Sequence, residues 1–167
     1  MRKKIFLCLF SFGIMLFITS AKIIQSKNDY TGIWVLDSVK SELTRAMPAL
    51  PKTIKITDSG KVMVFEKDTE QFGKVTTRLT PNTPPIEIKI LTPGYRKWGE
   101  LKYSEPNGLE ISTEYKVGKD DQGNPEWSYH RTESYKLSAS GDEMTYIDVA
   151  VGPKGHETFK GVYTKKL

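Results

Sequence analysis

The stretch from Trp127 to Leu137 carries the side chains of this sequence that are best suited to binding a polar group. In a β-strand the odd positions would point to one face and the even positions to the other. The odd face would then combine two opposite charges, Arg131 and Glu133, with four large side chains, which are those of Trp127, Tyr129, Tyr135 and Leu137. A guanidinium is a planar fork of donors that matches a carboxylate. This face could therefore bind the acidic end of an otherwise apolar molecule.

This strand could point either of its two faces into the protein, and its residues alone slightly favour an inward even face. In the first orientation, the odd face points into the protein, where Arg131 and Glu133 must pair or meet a polar ligand because an unpaired buried charge is too costly. Arg131 would then anchor the ligand, with Glu133 as its partner when no ligand is bound. In the second orientation the small polar side chains at even positions face the core, and the Arg131–Glu133 face is solvated.

Other kinds of chemistry find little support in the residue pattern. His130 and His156 are the only histidines, and neither has a cysteine or a second histidine at metal-ligand spacing. Serines are plentiful, but none lies in a nucleophile elbow or beside a positioned base. We therefore expect no metal, no cofactor and no catalytic residue. An enzyme that uses a tyrosine, His130 or Glu133 as an acid or base is a lesser alternative.

The N-terminus has the pattern of a secretory signal. Three basic residues at 2–4 precede an apolar run at 5–18 and a small-residue end at 19–21. We expect cleavage after Ala21 and export to the periplasm or the outside, with loss of the only cysteine, Cys8. The run is shorter than the roughly 20 apolar residues that span a bilayer, so no stable membrane span is expected after cleavage. An uncleaved N-terminal anchor is the alternative.

Loss of the leader also changes the charge balance. The full chain has 25 basic and 20 acidic residues and a net charge of +5, whereas the chain without the leader has 22 basic residues and a net charge of +2. This small excess weakens the argument for nucleic-acid binding, and we expect no nucleic-acid partner. Without cysteine, the mature protein would have neither a disulfide nor a thiolate metal site.

From Lys52 onward the hydrophobic pattern has a period of two, which is typical of β-strands. Turn sequences separate these strands, which number about ten together with an earlier strand around Trp34, and one short helical turn is expected at 38–43 after that first strand. In the strand at 109–117 the alternation places Tyr115 on the inner face. The outer face is expected to carry four lysines, Lys52, Lys55, Lys61 and Lys67. An antiparallel meander of this length removes its edges by closing into an up-and-down barrel, and a two-sheet sandwich is the alternative.

The first strand of this barrel is expected at Tyr30–Asp37. Gly32 has no Cβ, so another side chain can lie on its backbone. Trp34 is large enough to plug one end of a small barrel. Gly32 and Trp34 therefore form a candidate structural motif at a barrel end.

The two ends of the mature chain resemble lipocalin-like (calycin) domain proteins of the bacterial envelope type. The segments that carry the resemblance are Gly32–Asp37, Lys40-Ser41, Leu137-Ser138, Gly141, Met144–Tyr146 and Gly161–Lys166. The resemblance implies a lipocalin-like barrel domain at 30–167, after a signal peptide at 1–21 and a linker at 22–29. In lipocalins a basic residue of the last strand stacks on the tryptophan, and Lys160 or Lys165 would take that place in this sequence.

A barrel of this size either fills its interior with side chains or holds one small ligand. The sequence predicts an exported, monomeric, non-catalytic barrel that binds a small apolar or amphiphilic molecule in its interior. The residues expected to contact the ligand are Arg131, Glu133, Trp127, Tyr129, Tyr135 and Tyr115. One alternative is an envelope module with a packed interior that binds another protein, and a further one is an enzyme on a calycin-type barrel.

Overall fold

Ten β-strands make up the part of the chain that the structure describes. The structure is a computed structural model and describes residues 29–41, 50–90, 93–104, 108–119, 122–123 and 127–166. In chain order the strands are β1 Gly32–Leu36, β2 Thr53–Asp58, β3 Met63–Thr69, β4 Gly73–Leu79, β5 Ile86–Ile88, β6 Tyr95–Ser104, β7 Gly108–Val117, β8 Trp127–Leu137, β9 Glu143–Gly152 and β10 Gly155–Lys166. No helix occurs within these ranges; residues 38–40 form one turn, in which the Ser41 amide donates to the Asp37 carbonyl oxygen at 3.1 Å.

The strands form a single antiparallel sheet that curls into a nearly closed barrel. Their order is β4-β3-β2-β1-β10-β9-β8-β7-β6-β5, so the first and last strands pair and the seam lies between β4 and β5. The segment after β4 covers this seam: Pro81 forms a bridge to Leu101, and the Asn82 amide donates to the Leu101 carbonyl oxygen at 2.7 Å. The predicted all-β, antiparallel up-and-down, lipocalin-like barrel is confirmed, and the sandwich with two sheets is not formed.

Alternation along the strands separates the barrel interior from the outer face. We call the end at which β1 begins and β10 ends the lower end, and the end at which β8 begins the upper end. The lower half is filled by large, fully buried side chains, which include those of Trp34, Phe65, Leu109, Ile111, Tyr135, Met144, Tyr146 and Tyr163. Since less than 2 % of the surface of each of these residues is exposed, the lower half is a packed core.

The tryptophan of β1 lies in this packed lower half. Trp34 is fully buried, and its indole Nε1 donates to the Tyr30 carbonyl oxygen at 2.9 Å. The Lys165 ammonium nitrogen lies 5.4 Å from the centre of the Trp34 ring, so Lys165 is the last-strand lysine that the sequence predicted. Gly32 permits this contact, because a Cβ at that position would lie 2.7 Å from Cε of Lys165, and its φ of +141° also favours glycine.

One prediction about the outer face is wrong. Three of the four lysines expected there are exposed, but Lys67 is buried with 7 % of its surface exposed. Lys67 follows Met63 and Phe65 at odd positions of β3, and all three point into the barrel. The acidic partner that makes this burial possible is Glu133, which is 66 residues away in the chain.

Several predictions fall outside the described residues. These are the signal peptide at 1–21 with Cys8, almost all of the linker at 22–29, and the second part of the helical turn expected at 38–43. Within the ranges that the structure does describe, no helix has the length and apolar character required to cross a membrane.

Candidate functional site

A cavity of about 570 Å³ opens at the upper end of the barrel. Inward-facing positions of β8, β9 and β10 line it together with the turn between β9 and β10; the lining residues are Trp127, Tyr129, Ala150, Gly152, Pro153, Lys154, Gly155 and Glu157. Gly152 shapes the wall, because a Cβ there would lie 2.9 Å from Cδ2 of Tyr129. The Tyr129 ring therefore packs on bare backbone. A concave site with two aromatic rings and two exposed charged side chains, Lys154 and Glu157, in its lining suits a small molecule with an apolar body.

Two aromatic pairs extend the wall from the rim into the interior. At the rim, Trp127 meets Tyr95 edge-on with ring centres 6.2 Å apart, and both rings remain more than a third exposed. Deeper in the barrel, Tyr129 meets Tyr115 edge-on with ring centres 5.6 Å apart. Edge-to-face contacts of this kind help to hold the rings in place.

Five charged side chains occupy inward-facing positions near this cavity, although none of them is among its lining residues. We call them the charged cluster: Lys67, Lys97, Arg131, Glu133 and Asp148. The Arg131 guanidinium binds Asp148 in a fork, with Nε donating to Oδ1 at 2.8 Å and Nη2 donating to Oδ2. Arg131 Nε also lies 3.5 Å from Oε1 of Glu133. The Arg131–Glu133 contact that the sequence predicted is thus present, but the fork itself is directed at Asp148.

Glu133 has a full set of donors although it is almost completely buried. The Lys67 ammonium group donates to Oε1. The Tyr146 hydroxyl donates to the same oxygen at 3.1 Å, and the Tyr135 hydroxyl donates to Oε2 at 3.2 Å. A buried carboxylate is tolerated only when such partners replace the lost water.

These contacts favour the charged forms of Glu133 and Arg131. Burial opposes ionisation of Glu133, but the nearby charges of Lys67 and Arg131 outweigh it and lower the pKa of Glu133 to about 2. Burial also disfavours the Arg131 cation, yet the hydrogen bond to Asp148 and the charge of Glu133 raise the pKa of Arg131 above its ordinary value. Burial raises the pKa of Tyr135 and Tyr146 far above the usual range, so both stay neutral donors. Glu133 and Arg131 of the cluster are thus favoured as ions, and Tyr135 and Tyr146 are favoured as neutral donors.

Lys97 differs from the other members of the cluster. Its ammonium nitrogen lies 5.0 Å from the centre of the Tyr115 ring, and its side chain is 9 % exposed. Burial lowers the pKa of Lys97, the charge of Glu133 raises it and that of Arg131 lowers it, with a lower value as the net result. A lowered lysine pKa indicates a cation that is not fully compensated by its surroundings.

The structure places all six predicted ligand-contact residues on the interior face, at two depths. Trp127 and Tyr129 line the cavity. Tyr115 and Arg131 lie beside and below it, half-buried. Glu133 and Tyr135 lie deeper, in contact with the packed core. The solvated orientation that the strand by itself slightly favoured is therefore wrong, because Glu133, Tyr135 and Leu137 are buried while the even positions face outward.

Three interior charges were missed in the sequence, namely Lys67, Lys97 and Asp148. Asp148 alternates with Met144, Tyr146 and Ala150 in β9, so its inward direction could have been found from the period alone. The sequence signal for the Arg131–Asp148 pair was the inward position of Asp148 in the strand that follows the one carrying Arg131.

His130 does not take part in this site. It lies on the outer face of β8, where its Nε2 is 3.9 Å from an Oε1 of Glu114. An acid–base pair of His130 with Glu133 is therefore not formed. Across the described ranges, no group of three or more histidine, cysteine, aspartate or glutamate side chains is arranged to hold a metal ion.

A second groove, of about 610 Å³, lies on the outer face of β6 and β7. Its centre is Trp98, with the Arg96 guanidinium 4.6 Å and the Lys116 ammonium 5.1 Å from the ring centre. Both cations already have carboxylate partners, since Arg96 pairs with Glu87 and Lys116 with Glu114. A third cation of the lining, Lys119, is exposed to solvent, so among the described lining residues no cation is both buried and without a carboxylate partner.

The ten-stranded meander, with β1 paired to β10, assigns the chain to the calycin-like barrels. No protein-family model and no curated protein sequence matches the chain. Among solved structures, it is similar to the zebrafish ileal bile acid-binding protein in complex with cholic acid, with a TM-score of 0.49 and 14 % sequence identity, over 81 % of this chain and 98 % of that one. The fold class follows from the strand order and register of this chain itself.

Proposed function

We propose that this protein binds one small amphiphilic molecule in the upper cavity of the barrel and performs no chemistry on it. The observation that carries the proposal is a cavity of about 570 Å³ whose lining residues Tyr129 and Ala150 lie two residues from the paired charges Arg131 and Asp148 on the same inward faces. The apolar part of the ligand would pack on Trp127 and Tyr129, and its polar end would point down toward Tyr115 and Arg131. Burial of an apolar molecule against such walls is favourable by roughly 25 cal/mol per Å² of apolar surface removed from water.

The packed lower half supports one shallow site instead of a tunnel through the barrel. The fully buried core below the charged cluster leaves no path for a ligand beyond Glu133 and Tyr135. A ligand would therefore enter and leave at the upper rim, between Trp127 and the turn after β9. We also propose that the barrel works as a monomer, since the site is complete within one chain.

A pair of adjacent substitutions tests whether the upper cavity is the binding site. Ala150 is 5 % exposed and lines the cavity, whereas the next residue, Val151, is 48 % exposed and points outward. Ala150→Trp should fill the cavity and weaken binding of the neutral fluorescent probe N-phenyl-1-naphthylamine by about tenfold or more, a loss of about 1.4 kcal/mol. Val151→Trp, the matched control, should leave the affinity within about twofold.

Fluorescence titration of the two variants and the parent protein decides the outcome. If none of the three proteins binds the probe, or if Ala150→Trp binds it as well as the parent, ligand binding in the upper cavity is refuted. A packed barrel that contacts another protein would then be the better account. Melting curves of both variants establish that the comparison is made between folded proteins.

We further propose that the protein is exported and that it serves in a bacterial envelope. The support is the leader, in which a basic start at 2–4, an apolar run at 5–18 and a small-residue end at 19–21 follow one another. N-terminal sequencing of protein recovered from an expressing bacterium should give a chain that begins just after Ala21. A chain that still begins at Met1 in the membrane fraction would favour an uncleaved anchor instead.

A further inference from the structure

The charged cluster has one more positive than negative side chain. Glu133 is paired with Lys67, and Asp148 holds the fork of Arg131. Lys97 is the remaining cation of the five residues, which gives the cluster a formal charge of +1 at neutral pH. Net charge in a poorly solvated interior is unfavourable unless a counter-ion can reach it.

Lys97 has a π contact but no counter-ion. Among the described residues, no carboxylate lies within ion-pair distance of its ammonium group and no atom accepts a hydrogen bond from it. The ammonium nitrogen lies over the Tyr115 ring, and the charge of Glu133 acts on it from beyond ion-pair distance. The same part of the chain contains no fully buried side-chain nitrogen or oxygen without a hydrogen-bond partner. It follows that the Lys97 ammonium group, although its side chain is nine-tenths buried, reaches space that another molecule can enter.

Lys97 does not itself line the upper cavity, but the strand register connects it to a residue that does. Lys97 lies opposite Tyr115 in the β6–β7 pairing, and Tyr115 lies opposite Tyr129 in the β7–β8 pairing. The three side chains are thus neighbours across three strands and on one face, and Tyr129 lines the cavity. The acidic group of a ligand that lies beside Tyr129 and Tyr115 would come within reach of the flexible Lys97 side chain.

We propose that Lys97 binds the acidic group of the ligand, and that the ligand is a monoanionic amphiphile such as a carboxylate or sulfonate with an apolar body. This inference rests on the proposed function and adds the charge of the ligand and the residue that recognises it. One negative charge would neutralise the cluster, whereas a second would have no cation left to pair with. The anion would also restore the pKa of Lys97 toward its ordinary value, since an opposite charge favours the protonated amine.

Lys97 is better suited to this role than Arg131. The Arg131 Nε and Nη2 atoms both donate to Asp148, so a ligand that took over the fork would leave a buried aspartate without its partner. Lys97 gives up only its contact with the Tyr115 ring, which is worth about 0.5–2 kcal/mol. Charge-assisted hydrogen bonds to a carboxylate or sulfonate exceed that value.

Two probes that differ in one charged group test this inference. The anion 1-anilinonaphthalene-8-sulfonate has the aromatic body of N-phenyl-1-naphthylamine and one additional sulfonate. We expect the parent protein to bind the anion about tenfold more tightly than the neutral probe, and Lys97→Met to lose about tenfold in affinity for the anion only. Lys97→Arg, which keeps the charge, should retain the preference for the anion.

The matched control is Lys74→Met. Lys74 is an exposed lysine on the outer face of β4, near the same end of the barrel, so this substitution removes the same charge without touching the interior. It should leave both affinities unchanged. Lys97→Gln, measured beside Lys97→Met, provides a second neutral variant if the methionine variant does not fold.

The results separate this inference from the proposed function. If the neutral probe binds but the anion binds no more tightly, or if Lys97→Met and Lys97→Gln keep the preference for the anion, the role of Lys97 is refuted while the cavity site stands. If neither probe binds the parent protein, both proposals are refuted. A loss of anion binding in Lys74→Met that equals the loss in Lys97→Met would likewise overturn the role of Lys97, because it would reduce the effect to overall charge.

Discussion

In the upper interior, the buried charged side chains are stabilised by oppositely charged and hydrogen-bonding neighbours. Glu133 has donors from Lys67, Tyr135 and Tyr146, and Arg131 has Asp148. Such arrangements add little stability over a well-packed apolar core, but removal of one partner is costly because its counter-ion is left buried and alone. Loss of any one paired side chain of the charged cluster should therefore destabilise the folded barrel.

Glu133→Gln should lower the free energy of unfolding by about 3–5 kcal/mol at neutral pH, because it leaves Lys67 buried without a carboxylate. The loss should shrink in acid. The folded pKa of Glu133, about 2, lies below its ordinary value of 4.5, so the carboxylate contributes stability above pH 4.5 that disappears as the pH falls toward 2.

Urea unfolding at neutral pH and near pH 2.5 measures both effects. The shift in pKa corresponds to about 3 kcal/mol, so the gap between the parent and Glu133→Gln should narrow by about that amount in acid. Glu110→Gln, on the outer face of β7, is the control and should show no such gap. A gap that is the same at both pH values would contradict the assignment of Glu133 as a buried, ionised group.

Arg131 and Asp148 should behave as a coupled pair. Arg131→Met should cost about 3–5 kcal/mol of unfolding free energy, because Asp148 and Glu133 both lose a buried cation. Addition of Asp148→Leu to this variant should recover part of the loss, since the unpaired carboxylate is then removed. Strictly additive losses in a double-mutant cycle, measured by urea unfolding, would show that the two side chains do not interact in the folded protein.

The strands themselves could be predicted from the sequence, but the face of β8 that points into the barrel could not. The period of two from Lys52 onward and the turn residues between the strands give the meander and its closure directly. The face of β8 that points inward depends on charges that arrive from other strands. Glu133 can be buried only because Lys67 comes from β3, 66 residues away, and Arg131 only because Asp148 comes from β9. Such pairings are products of the barrel and cannot be seen in the strand itself.

The first and last strands, β1 and β10, pair with each other, and Trp34 of β1 fills the lower part of the barrel. Trp34→Ala should lower the free energy of unfolding by about 3–5 kcal/mol, since it leaves a cavity in a fully packed region. Lys165→Met should cost about 1 kcal/mol, because it removes the contact of the ammonium group with the ring and a largely exposed ion pair with Asp29.

Thermal and urea unfolding of both variants check this order of effects. Trp127→Ala provides the comparison, because Trp127 lies at the upper rim and is 37 % exposed, and it should cost clearly less than Trp34→Ala. Equal losses for the two tryptophans would contradict the description of the lower end as packed and the upper end as open.

The barrel that the structure describes therefore has two different halves. The lower half is a packed core, and the upper half contains the cavity and the charged cluster. A ligand that binds only the folded barrel must stabilise it. At a free concentration about 100 times its dissociation constant, N-phenyl-1-naphthylamine should raise the free energy of unfolding of the parent protein by about 2.7 kcal/mol. Urea unfolding should show no such increase for Ala150→Trp, and an equal increase in both proteins would place the probe outside the cavity.

The location of the bound probe tests the central claim most directly. Backbone amide shifts in the NMR spectrum of the labelled protein, followed during titration with N-phenyl-1-naphthylamine, report which surface the probe occupies. We predict that the largest shifts cluster at the cavity lining, at Trp127, Tyr129, Ala150 and Gly152. Shifts that cluster instead at the outer groove around Arg96, Trp98 and Lys116, or no shifts at all, would contradict the account of this protein as a barrel that binds its ligand inside.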